Sequence, residues 1–337
     1  MKAWQLTATT GIDALKLNQL AEAKPGPGQV LVRVRATALN YRDLLVATGR
    51  YGTVGTLPLI PLSDGAGEIV AVGEGVTRWQ PGDRVAGTFF QNWRSGAIQR
   101  EVFESALGAA LNGMLAEYVI LSAEGVIAIP PHLDFAEAAT LPCAALTAWH
   151  ALVSDGKLAA GQTVVLLGTG GVSIFALQFA KLHGARVIIT SSSDEKLARA
   201  RSLGADETIN YRATPDWEKE VFRLTGKAGA DHVVEVGGTD TFPRSLRAAA
   251  MGGTVSVIGG VSGFTSEVAL RDILGKSLLI RGIFVGNRDM FAAMNRAISQ
   301  HRLKPVIDRA FAFAEAPAAY GYQESGGHFG KVVITVE

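Results

Sequence analysis

Two textures of hydrophobic patterning divide the chain. Up to about residue 125, apolar and polar positions alternate over short stretches. Residues 29–36 set Val30, Val32 and Val34 on one face against Arg33 and Arg35 on the other. Similar stretches at 67–73, 83–86 and 117–121 are punctuated by turn signals at 25–28 and 80–83. Such alternation predicts half-buried antiparallel strands, and their number predicts a barrel-like unit. Further on, strand-like runs at 164–167, 186–190, 206–210, 231–237, 253–259 and 277–284 are separated by helical stretches. Parallel strands need crossovers of about a dozen residues, so this part predicts a doubly wound parallel sheet of the α/β class. The last segments, 309–313, 314–320 and 331–335, are too short for a domain of their own. They are expected to fold back onto the first unit, which makes the parallel-sheet domain an insertion. The expected domains are residues 1–125, 126–286 and 287–337. A crevice between them is the natural ligand site.

The most informative stretch is the turn Gly168-Thr169-Gly170-Gly171-Val172-Ser173 between the strand at 164–167 and a helix carrying Phe175, Leu177, Phe179 and Leu182. Glycine lets backbone approach phosphate oxygens closely. The helix start aims unpaired N–H groups and a positive dipole end at an anion. A dinucleotide pyrophosphate is therefore expected there, with Gly168, Gly170, Gly171 and Val172 around it. A second strand at 186–190 and a second helix at 195–204 supply the flanks such a site requires.

Composition narrows the function classes. The chain has 337 residues, 48% of them hydrophobic, enough for two sizeable cores. A net charge of +1 without Lys/Arg clusters gives no footprint for nucleic acid. One cysteine rules out an internal disulfide and a four-cysteine metal site. The start has no signal-peptide pattern, and no apolar run is long enough to span a membrane. A cytoplasmic protein acting on a small molecule is the expectation. Residues 88–113 form one long irregular stretch, whose Phe89, Phe90 and Trp93 either line a substrate pocket or patch the barrel surface.

Four segments in this order resemble the medium-chain dehydrogenase/reductase superfamily along essentially the whole chain. They are Leu39-Asn40-Tyr41-Arg42-Asp43; residues 64–73 with 81–85; residues 138–149; and the Gly168 turn with its helix. The nearest likeness is to the zinc-independent, quinone oxidoreductase-like branch, some members of which are labelled alcohol dehydrogenases. The resemblance implies a GroES-like catalytic domain, a Rossmann domain and hydride transfer from a nicotinamide. It also implies a homodimer paired through the strand at 278–284. Ser173 departs from the usual fingerprint by replacing its third glycine, and the 88–113 stretch is longer than in typical quinone reductases.

Zinc alcohol dehydrogenases of this superfamily bind their catalytic metal through a cysteine in the segment matching residues 40–43, a histidine where Ser63 stands and a cysteine where Cys143 stands. Only Cys143 is kept. With Asp64 as one further oxygen donor the set still falls short of three ligands, so no zinc is expected. The six histidines show no paired metal spacing.

An NAD site wants a carboxylate at the tip of the second strand; here Thr190 is followed by Ser191, Ser192 and Ser193. Small hydroxyls leave room for a 2′-phosphate and donate to it, and an acid would repel it. In the family, residues matching Lys196 and Tyr211 flank that phosphate, so NADPH is the expected cofactor. The alternative has Asp194 on the ribose. The resemblance also implies backbone contacts to the cofactor at Gly237, Gly259, Phe284 and Val285. It places Asn40 and Thr147 at the nicotinamide end and gives Tyr51 the place of the active-site tyrosine, as proton donor or packing residue.

Without a metal, forming an alkoxide from a simple alcohol is difficult, whereas a quinone or α,β-unsaturated carbonyl needs only an oriented hydride and hydrogen bonds to the oxygen gaining charge. NADPH-dependent reduction of such acceptors is the expected activity, with Asn40, Tyr51 and Thr147 as catalytic residues. Two alternatives stay open. One is an alcohol dehydrogenase or aldehyde reductase of the same superfamily; the other is an NADPH-binding protein without significant catalysis, as in lens crystallins.

Overall fold

A computed structural model describes residues 1–52 and 54–337. Residues 1–146 with 286–337 form one compact unit, and residues 147–285 form the other.

The first unit opens with a two-stranded antiparallel ribbon, β1 (Lys2–Leu6) and β2 (Leu15–Gln19). Its main sheet uses β3 (Gln29–Leu39), β4 (Asp64–Val72), β5 (Arg84–Gly87), β6 (Tyr118–Ser122) and β7 (Val126–Ala128). The alternation read along β3 is real: Val30, Val32 and Val34 are buried, with intermediate positions between them. Each such valine contributes about 1.5–3 kcal/mol of apolar burial. They meet Ile69, Val85, Val119 and Leu121 in the core of this unit.

The second unit holds β8 (Thr163–Leu166), β9 (Arg186–Ser191), β10 (Glu207–Asn210), β11 (Ala230–Glu235), β12 (Ala249–Val257) and β13 (Leu279–Gly282). All its pairings are parallel, in the order β10-β9-β8-β11-β12-β13. The first three strands run outward one way and the next three the other, the doubly wound arrangement with its switch point between β8 and β11. Val164, Val165, Leu166, Val187, Ile188 and Ile189 are all fully buried, as strands covered on both faces must be. The helix Gly171–Leu182 packs on this sheet through Ile174, Phe175, Leu177 and Phe179.

The C-terminal segments return to the first unit as expected. β14 (Ile307–Ala312) lies parallel to β15 (Lys331–Thr335), and β15 pairs antiparallel with β3. The first unit extends past residue 125, where a boundary was expected, for two reasons. β7 pairs with β5, and the short helix Phe135–Ala138 packs on β3, β4 and β15. The 88–113 stretch is neither a surface patch nor bare coil. Phe89, Phe90 and Trp93 are buried, Phe90 meets Phe89, Trp93 and Phe103 edge to face, and a 3-10 turn spans Arg100–Ser105.

Candidate active site

In the second unit, the expected nucleotide residues gather at the carboxyl ends of the parallel strands. Gly168 leaves β8 with φ +70°, a left-handed conformation that glycine adopts freely, and a Cβ there would meet nothing within 4 Å. Its N–H lies 3.3 Å from Thr190 Oγ1, tying the turn to the end of β9. Gly170 is the N-cap of the helix Gly171–Leu182, and no side chain caps that helix. Three other helix starts are closed by side chains, Ser193 capping at Lys196, Asn287 at Met290 and Asp134 at Glu137, whereas those at Trp217, Phe242, Leu270 and Ala316 are, like this one, without a side-chain cap. The first-turn donors of Gly171 and Val172 thus have no side-chain partner at the place where the motif needs them for phosphate.

Ser173 is buried and donates from Oγ to Leu167 O at 2.7 Å. Where a third glycine would let helix and strand close up, this hydroxyl pins the two together.

At the end of β9, Ser191 is buried, and its Oγ accepts from Ser193 N at 3.3 Å. Its carbonyl accepts from Tyr211 N at 3.0 Å. Ser191, Ser192, Lys196 and Tyr211 therefore come together at one strand end. Asp194, the alternative ribose contact, has Oδ1 engaged by Asn210 Nδ2 at 2.7 Å.

Gly237 and Gly259 follow β11 and β12 on the same edge of the sheet. The loop after β11 is built around Glu235, fully buried, which the sequence reading overlooked. Its Oε1 accepts from Gly237 N, Gly238 N and Thr241 Oγ1 at 2.7, 2.9 and 2.7 Å, and its Oε2 from Ser245 Oγ. A lone acid ending an apolar strand was the available signal. Beyond β13, Phe284 is half exposed, and Val285 has φ +38°, strained for a β-branched residue. His150 holds that strained peptide at 3.0 Å from Val285 O. Burial pushes the His150 imidazole below its ordinary pKa, and the carbonyl contact opposes this in part.

The first unit holds a second centre, made of side chains. Asn40 follows the last residue of β3 and is the N-cap of the helix Tyr41–Ala47. Its backbone N–H donates to Asp43 Oδ2 at 2.8 Å, and its Oδ1 accepts from Lys331 Nζ at 2.5 Å. Asp64, fully buried, accepts from Ser63 Oγ at 2.7 Å and from Cys143 N at 3.1 Å. Arg42 Nη1 donates to Asp43 Oδ1 at 3.1 Å and to Leu107 O at 2.9 Å. The Arg42 guanidinium lies between the rings of Tyr51 and Phe89, at 4.4 and 4.9 Å from their centroids. Tyr51 is thereby fixed by a cation–π contact.

Thr147 is buried in the second unit. Its helical run, Leu141–Ala145, Leu146–Trp149 and His150–Ser154, contains two wide π turns. Such turns recur at functional sites. Cys143 stands early in the same run.

Zinc does not fit these residues. Burial pushes the Cys143 thiol up, and the Asp64 carboxylate raises it further. Around it stand one carboxylate, Asp64, and otherwise a hydroxyl, an amide and an ammonium, which leaves the set short of three metal donors of the usual kind. Among the described residues, no three or more His, Cys, Asp or Glu side chains are grouped so as to hold a metal.

A parallel sheet in this order, with a glycine turn and an uncapped helix at its switch point, defines a dinucleotide-binding oxidoreductase fold. Comparison with known proteins makes that specific. Residues 26–131 match the alcohol dehydrogenase GroES-like domain, and residues 171–300 match the zinc-binding dehydrogenase family. A zinc-type alcohol dehydrogenase-like protein of Schizosaccharomyces pombe is 44% identical over 335 residues, covering 97% of both chains. A quinone oxidoreductase of Pseudomonas aeruginosa is 32% identical, covering 95% of this chain and 94% of its own. A crystal structure from Sinorhizobium meliloti 1021, provisionally named an alcohol dehydrogenase, superimposes with TM-score 0.94 at 45% identity over 99% of this chain and 98% of its own. The chain belongs to the medium-chain dehydrogenase/reductase superfamily, in its zinc-independent, quinone oxidoreductase-like branch.

Proposed function

We propose that this oxidoreductase uses NADPH to reduce a quinone or an α,β-unsaturated carbonyl. The observation that carries the reading is the pairing of two features: a nucleotide turn with uncapped backbone donors, and an acceptor-side centre whose donors cannot hold a catalytic metal. Gly168, Gly170, Gly171 and Val172 would bind the pyrophosphate; Gly237, Gly259, Phe284 and Val285 would give backbone contacts. A bound reduced nicotinamide supplies the hydride. Ser191, Ser192, Lys196 and Tyr211 favour a 2′-phosphate, because hydroxyl and ammonium donors surround a strand tip whose nearest acid, Asp194, is engaged by Asn210.

Asn40 and Thr147 orient the reactants. Tyr51, held by Arg42, gives a hydrogen bond or a proton to the acceptor oxygen. A quinone or enone gains its charge on a carbonyl oxygen, where neutral donors suffice. Oxidation of a simple alcohol asks for an alkoxide, which this set of residues is poorly suited to generate.

The working form is a homodimer in the cytoplasm. β13 is an unpaired sheet edge, and its Leu279 and Ile280 are 53% and 37% exposed, which favours edge-to-edge pairing with a second copy.

Steady-state oxidation of NADPH and NADH across quinones, enones, aldehydes and alcohols tests the reading. Quinones or enones with NADPH should give the highest kcat/KM. Lys196→Ala should raise KM for NADPH about 10- to 100-fold, the worth of one charge-assisted contact, and leave KM for NADH nearly unchanged. Equal effects on both would remove the phosphate assignment.

A further inference from the structure

We propose that Lys331 is the resident cation of the buried centre in the first unit: a positioning residue that holds Asn40 and Asp64 in place and, through Asp64, the start of the helical run that carries Thr147. The sheet register brings the participants together. Lys331 opens β15, whose Val332 pairs with Leu39 at the end of β3, and Ala38 pairs with Asp64 at the start of β4. Three neighbouring strand ends thus place an ammonium, an amide and a carboxylate side by side.

Lys331 is 2% exposed, in an otherwise apolar strand. A buried ammonium is costly unless it is partnered. It donates to Leu39 O and to Asn40 Oδ1, each at 2.5 Å. That contact fixes which end of the Asn40 amide is the oxygen. The amide nitrogen is buried and makes no hydrogen bond of its own. Burial pushes the Asp64 carboxyl up, and the Lys331 charge is the strongest influence opposing it.

Asp64 then does work that no nearer residue does. Thr140, the N-cap of the run beginning at Leu141, gives it no side-chain cap; its hydroxyl donates to Glu137 O instead. The N–H of Cys143, in the first turn, donates to Asp64 Oδ2. A carboxylate from β4 therefore caps a helix across the sheet.

The charges close without a metal. Arg42 and Lys331 face Asp43 and Asp64, all four buried. With Lys331 and Arg42 in place, a divalent ion beside Asp64 would add positive charge to a centre already balanced. In this reading Lys331 supplies the positive charge where zinc-dependent relatives use a metal.

A double-mutant cycle on the full chain tests this, with Lys331→Met, Asp64→Asn, both together, and Lys331→Arg. Lys331→Met should lower Tm by roughly 10 °C, because the buried carboxylates Asp43 and Asp64 are left with one buried cation fewer. Adding Asp64→Asn should recover at least half of that loss, and Lys331→Arg should keep most of the wild-type Tm. Should Lys331→Met not fold, Asp64→Asn alone and the double variant read the same coupling from the other side.

The kinetic arm rests on the hydride-transfer reading above. There, Lys331→Met should lower kcat about 100-fold with KM for NADPH within twofold, and the double variant should regain stability but not kcat. A double variant no more stable than Lys331→Met would overturn the proposal. So would stoichiometric zinc retained by the wild-type chain after loading and desalting. If the wild type turns over no quinone or enone, the functional reading fails, and the stability cycle still decides the role of Lys331.

Discussion

Two buried carboxylates, one in each unit, are held by opposite means. At the nucleotide end of the second unit, Glu235 takes its hydrogen bonds from two backbone N–H groups and two hydroxyls. In the first unit, Asp64 takes one hydroxyl and one N–H and depends on the charge of Lys331. The first region is built from backbone and short side chains within one stretch of sequence. The second is assembled from long-range partners. A carboxylate held by neighbouring backbone and hydroxyls rests on local geometry, whereas an ion centre stands or falls with its distant counter-charge.

The largest test of that contrast removes Glu235. Glu235→Ala leaves four donors facing a void, and urea unfolding should show a loss of about 3 kcal/mol. Because among the described residues no ion pair holds Glu235, no second substitution of a charged residue should restore it, in contrast to the coupling expected between Lys331 and Asp64. Next is Gly168→Ala. A left-handed φ costs an L-residue about 1–2 kcal/mol, and the altered turn should weaken NADPH binding about tenfold by fluorescence titration. Unchanged affinity would remove Gly168 from the cradle.

How far these regions could be read beforehand follows from the same distinction. The parallel strands, the glycine turn and the helix after it were legible because each is specified within a few residues. The hydroxyl tip at Ser191 and Ser192 was legible too, since position at a strand end is itself the signal. Ser173 was read only as a lost glycine, because its bond to Leu167 O depends on a side-chain rotamer. No role was read for Lys331 or for Arg42, although Arg42 lies in the first of the four family segments. Nothing near Lys331 in the chain says that Asn40, some 290 residues earlier, is its partner. The buried lysine opening an apolar strand was a signal, but one without an address. Phe89 illustrates the same limit: the sequence marked an aromatic in a long loop, and the fold placed its ring against Arg42.

Smaller effects sharpen the comparison further. Ser173→Gly restores the usual fingerprint yet should destabilise the chain by about 1 kcal/mol, since Leu167 O loses its donor. A stabilising result would mean the hydroxyl is tolerated rather than used. The smallest effect concerns Asp206. Burial alone would raise its carboxyl, but Lys181 and the Val187 N–H outweigh this and hold it below its ordinary value. A carboxyl depressed in the folded state stabilises above the unfolded pKa, and that stability is lost as pH falls through the folded one. Being partly exposed and screened, it is worth only a few tenths of a kcal/mol. Asp206→Asn should therefore show a small deficit at pH 7 that fades as pH falls through and below the ordinary aspartate range.

The proposed chemistry is nucleotide-dependent hydride transfer at a centre whose cation is a lysine rather than a metal. NADPH oxidation with a quinone or enone, measured on protein stripped with a chelator and assayed for metal, decides it. Full kcat is expected with less than about 0.1 equivalent of zinc and no change on adding it back. Loss of turnover on stripping, restored by stoichiometric zinc, would contradict it.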